Sequence, residues 1–231
     1  MSQSKSFSIA VIGGGIAGLT LAVALHQRQI PVTVFEQASH FGEIGAGVSF
    51  GPNAIQAMTI CSPGIKDAFL KVSTKNGWPS KRDVWFDVFN GDKIVGKEAA
   101  QKAPEFQLRV KGEHAGVYRA HFLDELARLV PNGIAKFGKR LDSIIQNDDN
   151  GKLVMKFFDG TTAEADAIIG CDGIKSRVRQ IIVGHDHPSA HPVYTHKYAY
   201  RGLIPMEKAI EVLGEEKAQN SCMHVRFPTL I

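Results

Sequence analysis

Ile9-Ala-Val-Ile-Gly-Gly-Gly-Ile-Ala-Gly-Leu-Thr-Leu-Ala-Val-Ala-Leu25 and the later run Val32-Thr-Val-Phe-Glu36 decide how the chain is read. The apolar run from Phe7 to Ile12 is β-branched and short, as a buried strand is, and Gly13, Gly15 and Gly18 follow at G-x-G-x-x-G spacing. Gly13 permits the tight turn, Gly15 lets a pyrophosphate approach the backbone without meeting a Cβ, and Gly18 lets the helix lie close to its strand. The helix then starts with free N–H groups. These donors and the positive end of the helix dipole bind an anion without a basic side chain. Val32 to Phe35 reads as a second strand, ending at Glu36, eighteen residues after Gly18. A carboxylate there accepts from ribose hydroxyls and repels a 2′-phosphate, so the adenosine held in this unit is that of FAD or NAD rather than NADP.

The same stretch has a blander reading as a signal peptide or membrane span, because no residue from Ser6 to Leu25 is charged and Lys5 stands just upstream. Three consecutive glycines split the apolar run into a strand and a short helix, and no small-residue cleavage site follows, so neither is expected. Of the 231 residues, 44% are hydrophobic and 22% charged, which suits one sizeable core or one domain with part of another. The net charge of +4 comes without a Lys/Arg block interleaved with aromatics, so no nucleic-acid partner is expected. The densest basic cluster, Lys136 to Arg140, reads as a solvated turn. Cys61, Cys171 and Cys222 are odd in number, lack metal-site spacing, and read as reduced thiols of an intracellular, cytoplasmic protein. Nothing in the sequence sets an oligomeric state.

After Glu36, the loop Phe41-Gly-Glu-Ile-Gly-Ala-Gly-Val-Ser-Phe-Gly-Pro-Asn53 has little side-chain bulk; it either lets a flat ligand lie on its backbone or is a plain connector. Pro52 opens a helix through Met58. Asp83 to Phe89, a turn at Asn90-Gly91 and Lys93 to Val95 read as a hairpin. Tyr118-Arg119 leads into a helix from Ala120 to Val130, where the Arg119 guanidinium either reaches a phosphate or faces solvent. From Ile134 to Thr162 short strands alternate with turns. Ala165-Asp-Ala-Ile-Ile-Gly-Cys-Asp-Gly173 then reads as a buried strand ending in an acid and a glycine, the kind of strand end where an open α/β sheet keeps its ligand. A short helix from Ile174 to Val183 carries Ser176, Arg177 and Arg179. His187 and His191 have a helical metal-ligand spacing, but Pro188 and Pro192 break that helix, and no metal is expected. His196 to Pro205 reads as a strand carrying Tyr198, Tyr200 and Arg201, with a helix from Met206 to Leu213 behind it.

The glycine fingerprint with Glu36, the Gly45-Ala-Gly47 loop, Tyr118-Arg119 and Gly170-Cys-Asp-Gly-Ile-Lys-Ser-Arg-Val-Arg179 together resemble the single-component FAD-dependent aromatic hydroxylases. More narrowly, the chain is similar to fungal salicylate-hydroxylase-like monooxygenases, including those that dearomatise alkylated resorcinol aldehydes in secondary metabolism. The resemblance runs from about Phe7 to Val225. It implies an α/β chain whose Rossmann-like FAD-binding domain takes residues 1–184, with a hairpin insertion near 83–95, and in which 185–231 begin a mixed β-sheet substrate domain. It implies that Glu36 holds the adenosine ribose, that Gly45, Ala46, Gly47 and Arg119 contact FAD, and that Asp172 and Gly173 touch both FAD and NAD(P)H. By the same resemblance, Arg201 supplies a cation to a phenolate substrate, to which O2 provides the transferred oxygen.

Family members continue past a position like Val225 with the rest of the substrate sheet, a Gly-Asp motif for the flavin and a long helix. This chain is expected to be truncated relative to them and inactive by itself. A rival expectation is a nucleotide-binding remnant that catalyses nothing. A plain NAD-dependent dehydrogenase is disfavoured, since no Tyr-x-x-x-Lys occurs and Asp172-Gly173 would go unexplained.

Overall fold

The computed structural model describes residues 7–42, 47–91, 102–147, 149–196 and 202–225. In chain order the elements begin with β1 (Ile9–Ile12), α1 (Ile16–Gln27), β2 (Val32–Phe35), β3 (Gly47–Phe50), α2 (Pro52–Cys61), α3 (Pro63–Val72) and β4 (Ser73–Thr74). There follow β5 (Val84–Asn90), β6 (Phe106–Arg109), β7 (Ala115–Tyr118), α4 (Arg119–Leu129), β8 (Ala135–Lys136), β9 (Leu141–Gln146) and β10 (Leu153–Phe157). The last are β11 (Thr162–Ala165), β12 (Ala167–Gly170), α5 (Arg177–Val183), α6 (Met206–Leu213), α7 (Glu215–Gln219) and β13 (Cys222–Val225).

These elements form two compact units. The first takes in the described residues of 7–42, 57–72 and 119–196 and is built on a parallel sheet in the order β12-β1-β2-β8. Alternation along β1 serves both faces. Ala10 and Ile12 point into a cluster with Phe35, Leu141, Met155, Phe157 and Val178, while Val11 joins Ala22 of α1 and Val34 on the other side. The antiparallel sheet β11-β10-β9 supplies the first cluster, the chain reversing after β9 beside Asn150-Gly151 and after β10 at Asp159-Gly160. Phe69 of α3 meets Phe122 of α4 edge-on at 5.5 Å, burying the apolar face of α4.

The second unit, over the described residues of 47–56, 73–118 and 202–225, contains the sheets β13-β5-β6 and β3-β7-β4. Here the structure redraws the expected hairpin. The antiparallel partner of β5 is β6, with Val88 opposite Phe106, so Asn90-Gly91 does not close a two-residue turn onto it; Lys93 to Val95 lie outside the described residues. The other side of β5 pairs in parallel with β13, which joins segment 83–90 to the end of the chain. Behind that sheet the Lys81 ammonium donates to Asp87 at 2.7 Å and lies 3.4 Å from Glu216, while the Gln107 amide satisfies the other Asp87 oxygen. Burial opposes the Lys81 charge, but the hydrogen bonds and charges of Asp87 and Glu216 outweigh it and hold its pKa above the usual lysine value. Asn76 is buried and fixes three backbone groups, donating to the carbonyls of Lys81 and Val84 and accepting from the Ser221 N–H.

The helix at Pro52 runs to Cys61, three residues beyond Met58, and α4 starts at Arg119. Of the expected strand His196 to Pro205, residues 197–201 lie outside the described residues and 202–205 are not strand.

Candidate functional site

The carboxyl ends of β2, β1 and β12 lie side by side, and the chain leaves all three into one cleft. Gly13 is locked between its neighbours: its N–H donates to the Phe35 carbonyl at 2.9 Å, and Cys171 N–H donates to the Ile12 carbonyl at 2.7 Å. Its φ of +104° and the Cys171 oxygen only 2.5 Å from where a Cβ would stand make glycine obligatory there. A Cβ on Gly18 would lie 1.9 Å from the Gly13 carbonyl, so α1 packs this close only on a bare Cα. Around Gly15 the space is open, with nothing within 4 Å of an added Cβ. No side chain caps the first turn of α1, and no acid stands in it. A diphosphate therefore meets unobstructed N–H donors.

Glu36 turns back toward this loop. The Gly14 N–H donates to one of its oxygens at 2.6 Å and the Ala38 N–H to the other at 2.8 Å. An ionised carboxylate has about four acceptor positions, so two are used to orient the group and two are left for other donors. Phe41 closes over Gly14, its ring edge 2.7 Å from an added Cβ, and it packs edge-on against Phe137 at 4.8 Å.

Asp172 lines the cleft, and its carboxylate is engaged within the chain. One carboxylate oxygen accepts from the Ser176 hydroxyl at 2.6 Å, and the other accepts from the N–H groups of Arg177 (2.6 Å) and Val178 (3.1 Å). Ser176 in turn caps α5 by accepting from Arg179 N–H. The acid thus pins α5 to the end of β12, and the Gly173 turn, with a φ of +76°, presents backbone to the cleft. Arg177 and Arg179 are held by carbonyls, Arg177 on Asp142, Arg179 on Ala190 and Ile174. Cys171 is half-buried beside Asp172; burial first, and then that charge, raise its thiol pKa.

The cleft, about 820 Å³, lies wholly within the first unit and gathers Gly13, Gly15, Glu36, Arg119, Asp172 and Gly173. Gly18 stands behind it, as the spacer between helix and strand. Gly45, Ala46 and Arg201 lie outside the described residues, and Gly47 is an exposed residue of β3 in the second unit. Sequence reasoning missed the wall opposite the glycine turn. Lys139 and Arg140, expected in a solvated turn, line the cleft together with Phe158, Arg177 and Gln180. That turn is laid along the strand end by Gly138 N–H to Ala38 O (2.9 Å) and Lys139 N–H to Glu36 O (2.8 Å). Its sequence signal was a basic cluster directly after a β-strand on the far side of β2, recognisable only once the strand order is known. Among the described residues no helix is long and apolar enough to cross a membrane. The histidines from 185 to 196 form a loop in which the His191 ring packs edge-on against His185 at 4.8 Å.

Residues 11–50 match the model of an NAD(P)-binding Rossmann-like domain. Over 228 residues the chain is 48% identical to the FAD-dependent monooxygenase azaH of Aspergillus niger, covering 96% of this chain and 52% of that protein. The chain is a homologue of FAD-dependent monooxygenases. It is 46% identical to the 6-methylsalicylate 1-monooxygenase atA of Aspergillus terreus, with 96% of this chain and 50% of that one covered. A solved salicylate hydroxylase in complex with substrate superposes at a TM-score of 0.70 and 32% identity, over 90% of this chain and 46% of that one. The chain thus spans about half the length of the curated relatives it matches, and those relatives are enzymes.

Proposed function

We propose that this chain carries the dinucleotide site of an FAD- and NAD(P)H-dependent monooxygenase that hydroxylates a phenolic aromatic substrate, salicylate-like or an alkylated resorcinol aldehyde. The observation that carries the reading is a single cleft where the bare Gly15 turn, the doubly oriented Glu36 carboxylate, Arg119 and the Gly173 turn converge. The names of the relatives, which include FAD dependence and action on methylsalicylate, support the chemistry assigned to it.

In this reading Glu36 accepts from the adenosine ribose, the first turn of α1 donates to the pyrophosphate, and Arg119 adds a cation beside it. FAD, when bound, supplies the redox chemistry that couples NAD(P)H to O2. Asp172 acts as a positioning residue, holding the Gly173 backbone where it meets the cofactor. Arg201 stabilises a phenolate, lowering the phenol pKa and making the ring electron-rich. We assign residues 1–184 to the cofactor role and 185–231 to the opening of the substrate domain.

Titration of the purified chain with FAD, followed by flavin fluorescence, tests the core of this assignment. Glu36→Ala removes a charged acceptor and is expected to weaken FAD about ten- to a hundredfold, from about 1.5 to 3 kcal/mol. Equal affinity in the variant would take Glu36 off the ribose.

A further inference from the structure

The wall of the cleft built by Lys139, Arg140 and Phe158 has more structure than an idle surface turn requires. Phe157 and Phe158 alternate at the end of β10, so that Phe157 is 4% exposed in the core and Phe158 is 62% exposed at the cleft. A solvent-facing phenyl ring at a hairpin turn buries little apolar surface. It is nevertheless held in place: its N–H donates to the Arg140 carbonyl at 3.0 Å, and the Arg140 guanidinium carbon stands 4.7 Å from the centre of its ring. Among the described residues Arg140 pairs with no carboxylate. The neighbouring Lys139 is clasped by Asp159 at 2.6 Å and by Thr161 at 2.8 Å, which fixes the turn that presents Arg140.

A succession of hydrogen bonds sets where this wall lies. Gly14 N–H binds Glu36, the Glu36 carbonyl accepts from Lys139 N–H, and the next residue, Arg140, accepts from Phe158. The cleft that holds the glycine turn and Glu36 is also lined by Arg140 and Phe158, the guanidinium lying over the phenyl ring. A guanidinium and a phenyl ring in one stack offer a flat, weakly hydrated, sequence-tolerant platform for a nucleobase, with a cation–π contribution from arginine. Of the other rings that line the cleft, Phe41 faces Gly14 and has its partner in Phe137, Phe35 is buried against Phe157, and His40 is engaged by the Ser39 hydroxyl.

We propose that Arg140 and Phe158 form the platform on which the adenine of the dinucleotide stacks, so that they set the preference of this chain for FAD over flavin mononucleotide. The inference rests on the cofactor reading above and adds to it a source of base selectivity. Glu36 selects for a ribose without a 2′-phosphate, whereas this stack selects for the presence of a base.

The experiment uses the full 231-residue chain and measures the dissociation constants of FAD and of flavin mononucleotide by fluorescence, with ADP as a competitor against bound FAD. Phe158→Ala and Arg140→Ala are each expected to weaken FAD and ADP about tenfold and to leave flavin mononucleotide as in wild type, so the preference ratio falls about tenfold. Arg140→Lys keeps the charge but loses the plane, and is expected to behave as Arg140→Ala. The platform is overturned if the variants retain the wild-type ratio, or if Arg140→Lys restores ADP competition, which would make Arg140 a simple counter-charge. Wild type that binds neither FAD nor ADP would instead overturn the cofactor reading itself. Thermal unfolding of the variants near the wild-type temperature, as expected for an exposed ring, ties any loss to the ligand.

Discussion

At the scale of single residues, the contrast between Glu36 and Asp172 shows what identical chemistry does at two strand ends. Both carboxylates stand at the carboxyl ends of parallel strands, and both accept backbone N–H groups. Glu36 reaches back over the turn and keeps acceptor positions directed to the cleft, while Asp172 uses its oxygens on Ser176, Arg177 and Val178 and so becomes a helix cap. Asp172→Ala is therefore expected to act mainly through the fold. It removes the acceptor of two N–H groups and the partner of the capping serine, a loss of about 1 to 2 kcal/mol in urea unfolding. Asp172→Asn, which keeps one oxygen acceptor, is expected to recover part of that loss. A large fall in FAD affinity with unchanged stability would mean that the carboxylate itself touches the cofactor. The spacing of Gly13, Gly15 and Gly18 was legible because Gly13 sits at a positive φ and Gly18 packs on the Gly13 carbonyl, demands that arise within the motif itself. The direction of the Asp172 side chain was not, because it depends on where α5 starts.

At the scale of elements, the β10–β11 turn and the loop after β8 act as one clasp. Hydrogen bonds from Lys139 and then from Thr161 pull the Asp159 carboxyl from its ordinary value of 3.8 down to about 2. Its folded-state pKa lies below its unfolded value. The clasp is therefore fully effective above the ordinary carboxylate range and is lost as pH falls through about 2. Thermal unfolding of wild type and Asp159→Asn is expected to differ most above pH 5 and to converge as the pH approaches 2. A gap that persists at the acid end would show that the asparagine disturbs the turn for a reason other than charge. The turn itself was readable from Asp159-Gly160, and β10 and β11 pair as that signal directs. The hairpin signal at Asn90-Gly91 did not carry the same information, because the strand that occupies β5 along Val84 to Val88 comes from residues 106–109. A turn dipeptide states that the chain can reverse, and only competition among strands decides what it pairs with.

At the scale of the whole molecule, the two compact units interleave along the chain, and β13 pairs with β5 across more than a hundred residues of sequence. The chain spans about half the length of these relatives. A chimera that supplies the part of the Aspergillus niger relative not matched by this chain is expected to couple NAD(P)H oxidation to hydroxylated product with salicylates or resorcinol aldehydes. In that chimera Arg201→Gln is expected to keep FAD and its reduction while diverting oxygen to peroxide, with product falling about a hundredfold, as for loss of one charge-stabilising donor. Product yield equal to that of the unmutated chimera would leave Arg201 a structural role.

What the sequence determined by itself is the nucleotide-binding unit from Ile9 to Glu36. The turn geometry, the helix start and the terminal acid are all local, and local sterics leave a strand, glycine turn and helix few alternatives. The helix at Met206–Leu213 forms as read, whereas the stretch read as one buried strand from Ala165 to Gly173 is strand only over Ala167–Gly170, half-buried and then exposed, with the acid and glycine in the turn beyond it. What only the tertiary structure decided is which distant segments face that unit. The basic turn at Lys139 and Arg140 looked like solvent-facing charge because its neighbours in sequence give it no partner. The parallel addition of β8 beside β2 brings it to Glu36, and the β10–β11 turn then clasps it there. Sheet order is a global property, set by which strand edges remain to be satisfied, and no window of sequence contains it.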